Sequence, residues 1–140
     1  VTMDAIAGQL RDAGFNIKRT IIPVSTIWND WTKYPFSTTN WRAWPLGVQV
    51  YGLAYRSGEA CNKSGHANPD FDAKLTEALG VPDADTRRGF MADLQAMVQS
   101  SGAIIQPFWM AKYLYHVEAV QKYERHKFRE MHLEKVWIDA

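Results

Sequence analysis

Residues 62–109, NKSGHANPDFDAKLTEALGVPDADTRRGFMADLQAMVQSSGAIIQPFW, read as two consecutive capped helices followed by a buried strand. Asn68 is a good N-cap, and Pro69 stands at the first helical position, where a missing N–H costs nothing. Phe71, Leu75, Ala78 and Leu79 fall at i, i+4, i+7 and i+8, one apolar stripe on a short helix that Gly80 and Pro82 stop. Asp83 caps the next helix, and Asp85 adds negative charge at its positive end. Phe90, Met91, Leu94, Met97 and Val98 make its apolar face, and Gly102 releases the chain into AIIQPFW. The pattern predicts a helix pair packed on a sheet.

Upstream, residues 3–13 form an amphipathic helix with Met3, Ile6, Ala7 and Leu10 as its stripe and Gly14 at its end. Phe15 to Ile22 alternates like a strand, with Phe15, Ile17 and Ile21 on one face, and Pro23 closes it. A helix joined to a strand by one glycine is half of a β-α-β unit. Ser25 caps a short helix carrying Ile27, Trp28 and Trp31; the two tryptophans are either a core-facing pair or a platform at a cleft edge. Residues 36–43, FSTTNWRA, predict a strand running into the loop WRAWPLG, after which Pro45 opens a helix holding Val48, Tyr51, Leu53 and Tyr55. Beyond Trp109, KYLYHVEAV alternates strongly and predicts a strand paired with AIIQPFW. The tail mixes both charge signs and ends in an apolar VWI.

A chain of 140 residues is one domain's worth, long enough for a core. A net charge of +1 gives no reason to expect nucleic acid or an anionic membrane as partner. There is no apolar run of the ~18 residues that a membrane span needs. No basic and apolar leader opens the sequence either. The single cysteine, Cys61, excludes an internal disulfide. Six tryptophans suggest a thick core or a face that meets a ligand.

The order N-x-S-G-x-x-N-P-D-F-D-x-x-L, then D-x-x-x-R-R and a helix, then I-I-Q-P-F-W, resembles the C-terminal part of the extracellular solute-binding proteins of ABC importers, family 5 (peptide, nickel and opine type). The resemblance runs from about Ile6 to Ile138. It implies an α/β fold: part of the C-terminal lobe of a type II periplasmic-binding-protein-like fold, with helices on a small mixed sheet. Residues 1–140 would then be a single domain, most of one lobe of a longer protein. The implied function is substrate capture without covalent chemistry or a cofactor, this chain supplying one wall of a cleft that closes by hinge motion.

Family members place ligand-contacting groups at the junction that is WRAWPLG here, so Asn40, Trp41, Arg42 and Trp44 are the candidate ligand-binding residues. Arg42 offers a fork of donors for a carboxylate, and Trp41 and Trp44 offer stacking faces. Equally open is that Arg42 pairs with a structural carboxylate and that Trp41 fills the core. The classical peptide binders carry an aspartate in this loop and WRAWPLG has none, so a ligand with an exposed carboxylate fits better than a generic peptide. The implied partners are that small solute or peptide, an N-terminal lobe of the same protein and a membrane permease, with self-association of this lobe when it stands alone. The implied location is periplasmic, or extracellular and membrane-anchored.

Two other classes stay in view. One is a small aromatic-rich domain that binds peptide or carbohydrate. The other is an enzyme built on Cys61 with His66 or His116, but no thiol-enzyme signature surrounds Cys61. Asn62 and Ser64 fit better as satisfiers of loop backbone groups. His66, His116, His126 and His132 lack metal-ligand spacing, and Asp70 and Asp72 sit in a helix's first turn, where dipole stabilisation explains them. No catalytic or metal-binding residue is therefore predicted.

Overall fold

The computed structural model describes residues 2–128 and 130–139, which fall into two compact units, up to Pro35 and from Phe36. Among the described residues there are five α-helices and one two-stranded antiparallel sheet, a mixed α/β content.

The first unit opens with α1 (Thr2–Asp12). Its expected stripe is on the inner side, with Ala7 buried and Met3, Ile6 and Leu10 half-buried. The helix ends as a Schellman motif, a Gly14 at φ +90 with Gly14 N–H donating to Arg11 O and Phe15 N–H to Leu10 O. The strand expected at 15–22 is absent. Ile17 N–H folds back on Phe15 O at 3.0 Å, and Arg11 Nε donates to Ile17 O at 2.9 Å, so local turns take up the backbone groups a ladder would have used. An ion pair of 2.7 Å joins Arg19 to Asp4. The helix α2 (Val24–Asp30) starts right after Pro23, two positions earlier than a Ser25 cap would allow, and continues as a 3-10 turn over Trp31–Lys33. Trp28 and Trp31 meet edge to face at 5.8 Å.

The second unit holds the core, and helices make it. The helices are α3 (Gly47–Ala54), α4 (Pro69–Gly80) and α5 (Ala84–Ser101), with α4 packed on both of the others. Phe71, Leu75 and Ala78 of α4 are fully buried against Leu94 and Val98 of α5 and Val48, Ala54 and Tyr55 of α3. Phe90, Met91 and Met97 close over this cluster as the 3.6-residue period requires, and Leu79 lies exposed at its margin. Asn68 caps α4 by accepting from Asp70 N–H and Phe71 N–H. Asp83 caps α5 by accepting from Thr86 N–H at 2.7 Å, and Gly102 ends α5 at φ +67. Pro45 does not open α3, which starts at Gly47. The Leu46 N–H donates to Gln49 Oε1, the one arm of a capping box that a leucine permits.

The expected sheet is not assembled. Residues 36–43, AIIQPFW and most of KYLYHVEAV are irregular, and residues 104–116 make no backbone hydrogen bond among the described residues. Alternation supplies a face, but a strand exists only when a neighbour satisfies its N–H and C=O groups. The only ladder among the described residues joins β1 (Val120–Gln121) to β2 (Trp137–Ile138), antiparallel, with Val120 opposite Ile138 and Gln121 opposite Trp137. The tail's VWI therefore pairs with the end of KYLYHVEAV, and AIIQPFW pairs with neither. Lys122 leaves β1 in the left-handed region, φ 55.

Removing Leu94 from this dry contact should lower unfolding stability by about 2–5 kcal/mol as Leu94→Ala, whereas Leu79→Ala at the exposed margin should cost roughly 0.5 kcal/mol or less. Equilibrium denaturation of the two variants checks the assignment of faces. A second expectation concerns pH. Hydrogen bonds from the Thr86 hydroxyl and backbone hold the Asp83 carboxyl below its ordinary 3.8. A depressed folded value means the cap's ionised contribution is complete above 3.8 and is lost as pH falls through the folded value. Asp83→Asn keeps the cap and removes the titration, so far-UV circular dichroism should show a shallower acid loss of α5 in that variant.

Candidate functional site

The segment between α3 and α4 is a polar loop held by one buried side chain. Asn62 Nδ2 donates to Arg56 O at 3.0 Å and to His66 O at 2.7 Å, while its Oδ1 accepts from Ser64 Oγ and His66 N–H. All four valences of the amide are thus used, the condition under which a buried asparagine stabilises. The expectation that Asn62 and Ser64 serve loop backbone groups is met. Ser57 anchors the loop to α4 through its N–H on Asp72 Oδ1 and its hydroxyl under Asn68 N–H.

His66 is buried and its Nδ1 lies 2.8 Å from Tyr55 O. A carbonyl only accepts, so Nδ1 carries the proton. Nε2 is then a buried lone pair with no partner among the described residues. The ring stands edge-on to Phe71 at 5.0 Å and to Tyr55 at 6.3 Å. Burial beside Tyr51 pushes the Tyr55 hydroxyl up to about 12. His66 is thus spent on loop structure. Cys61 is exposed, and no hydrogen bond joins it to His66 among the described residues.

This loop presents Lys63 to the WRAW segment. Lys63 Nζ donates to Thr39 Oγ1 at 2.8 Å and stands 5.5 Å from the centre of the Trp41 ring. Burial holds its ammonium below the ordinary lysine range. Trp41 is half-buried against the helical core, so it fills the core with one face and meets a cation with another. Its neighbours Asn40, Arg42 and Trp44 are exposed. Arg42 makes no ion pair among the described residues, so the alternative in which it is tied to a structural carboxylate does not hold there. Of the four predicted residues, one is seated in the core and three are displayed.

Ala43, in the middle of this segment, lines an open depression of ≈ 460 Å³. Its other walls come from far along the chain: Met110 and Lys112, then Arg125 to Phe128. Three cationic side chains therefore share the depression with an imidazole and two large apolar side chains, and no carboxylate lines it among the described residues. Sequence reasoning missed these residues. The cation-rich YERHK run was visible as charge, but nothing in it said which of its members the fold brings back to Ala43.

The tail histidines form a small polar knot. His126 and His132 meet edge-on at 5.7 Å, and His132 Nδ1 lies 3.0 Å from Glu134 Oε1. Phe128 N–H donates to His126 Nδ1, which removes that atom from ligand duty. Among the described residues no group of three or more His, Cys, Asp or Glu is placed to hold a metal ion. No helix among them is long and apolar enough to cross a membrane. A scan against models of known protein families finds no match, and no curated protein matches the chain.

Truncating the central amide should therefore reach the candidate site. Asn62→Ala strands the carbonyls of Arg56 and His66, a loss of about 2–4 kcal/mol. It should also release Lys63 from Trp41, seen as a change in the Trp41 indole resonance that Ser64→Ala leaves small.

Proposed function

We propose that this chain is a wall of a solute-capture protein serving an ABC importer, and that it does no covalent chemistry. The single observation that carries the reading is the display of Asn40, Arg42 and Trp44 on a segment pinned from behind, Trp41 being seated on the helical core under Lys63. A capture site needs that arrangement: side chains that face solvent in the open state, on a backbone that does not move when ligand arrives. A guanidinium with no ion pair among the described residues, next in the chain to an indole, suits a carboxylate carried on an apolar body.

The ordered motifs of residues 62–109 support the same reading by resemblance to the family 5 solute-binding proteins. In that reading the fold is the C-terminal lobe of a type II periplasmic-binding-protein-like protein, the ligand is a peptide, opine or similar acidic solute, and the location is periplasmic or membrane-anchored. The irregular apolar segments 15–22 and 104–117 are then strands in waiting, completed by an N-terminal lobe of the same protein or, in its absence, by a second copy of this chain. A permease would read the closed form.

A second reading has one observation in its favour. Tyr113 and Tyr115 stack at 6.4 Å with planes 29° apart, and both are exposed, as is Trp109. An exposed aromatic array of that kind suits a carbohydrate or peptide interaction surface.

A thermal-shift screen of acidic solutes against the two-lobed protein is the deciding experiment. A binder should emerge whose affinity falls about ten- to a hundredfold in Arg42→Ala, the range of a charge-assisted bidentate contact, and severalfold in Trp44→Ala. Unchanged affinity in Arg42→Ala would remove the guanidinium from the site. Tightest binding to an uncharged glycan, abolished by Tyr115→Ala, would favour the second reading.

A further inference from the structure

The depression beside Ala43 has a charge problem that the chain itself does not solve. Lys112, Arg125 and Lys127 all line it, and none of them makes an ion pair or hydrogen bond with a described residue. Two other cations of the same unit are matched: Lys74 pairs with Asp93 and Arg88 with Asp85. Gathering like charges around a concave surface raises the local potential, because the low-dielectric wall focuses the field. In the tail, Glu130 is turned to the imidazoles, 3.9 Å from His126 Nδ1 and 3.7 Å from His132 Nε2. It does not line the depression.

The remaining lining is the His126 imidazole and an apolar wall. Met110 and Phe128 are large, deformable or flat apolar surfaces, and Ala43 is small enough to leave room between them. The volume of ≈ 460 Å³ falls within the range of about 300–1,000 Å³ typical of small-molecule sites. A free inorganic anion would leave that apolar wall unused, and an apolar guest would leave the three cations unmatched.

We infer that the depression lined by Ala43, Met110, Lys112, Arg125, Lys127 and Phe128 is a binding site for a small organic polyacid, one that carries two or more carboxylates on an apolar body. Arg125 supplies the planar fork for one carboxylate, and the two lysines act as point charges for the other. Met110 and Phe128 take the apolar body. The inference rests on the solute-capture reading for its purpose and names the solute's class. It also moves the charge recognition from Arg42 alone to residues some seventy to eighty-five positions further along the chain, which Ala43 joins to the WRAW segment.

The test is an amide-resonance titration of the 140-residue chain with 2-benzylsuccinate, a dianion with one ring. The diol of the same skeleton and inorganic phosphate serve as the two comparison probes. Benzylsuccinate should shift the amides of Ala43, Met110, Lys112 and 125–128, with binding weakened at least tenfold by the combined charge reversal K112E, R125E and K127E. The diol and phosphate should each bind at least tenfold more weakly, and added salt should weaken the dianion in step. These side chains stand outside the helical core, and circular dichroism checks that the reversed variant keeps its helices. Equal binding of the diol, equal binding of phosphate, or undiminished binding by the reversed variant would each overturn the assignment. If Arg42→Ala abolishes binding and the charge reversal does not, the pocket falls and solute capture stands. If the pocket behaves as described while the two-lobed protein captures no acidic solute, the pocket stands and its purpose falls.

Discussion

A single carboxamide organises the larger unit. Asn62 is buried where the chain turns from α3 to α4, and its four hydrogen bonds close a loop whose backbone groups have no ladder or helix to join. That closure fixes the angle at which α4 meets α3, and so lets Phe71 and Leu75 reach Val48 and Tyr55 without a void. It also aims Lys63 at Trp41. The hydrophobic contacts supply the bulk of the stabilisation, but the amide decides which contacts are available. His66 shows the limit of the arrangement, since the loop satisfies one ring nitrogen and leaves the other buried without a partner.

The helices were legible in the sequence, and the reason is local. An N-cap, a proline at the first turn, a stripe at 3.6-residue spacing and a terminal glycine are all written within a dozen residues, as at Asn68–Gly80 and Asp83–Gly102. The strands were not legible, because a strand is a relation between two segments. Residues 15–22 and 104–117 have the alternation, the β-branched residues and the aromatics, yet no second strand pairs with either in a ladder among the described residues. The two-residue ladder that does form joins Val120–Gln121, at the very end of KYLYHVEAV, to Trp137–Ile138. Pairing chose it: the turn over 117–120, closed by Val120 N–H on Val117 O, puts the chain in register with its own tail.

The candidate site divides the same way. Trp41, Arg42 and Trp44 were singled out by the resemblance of WRAWPLG to a ligand-contacting junction and by residue type, a guanidinium fork beside stacking faces. Which of them faces inward was not readable, since a tryptophan's fate depends on a helix pair that comes later in the chain. The cations of the depression were beyond reach for a similar reason. Lys112, Arg125 and Lys127 are ordinary surface residues until the tail folds back, and their meaning lies in lining one depression together.

The unfinished backbone of residues 104–116 has a further bearing on how this polypeptide behaves in bulk. Amides without backbone partners among the described residues, flanked by the exposed Ile105, Trp109, Tyr113 and Tyr115, are an invitation that does not depend on side-chain fit. Any extended strand can answer it, from a neighbouring lobe to a nascent fibril. Solubility is then governed by whichever strand arrives first, and the helical half of the molecule, however well packed, has no say in that race.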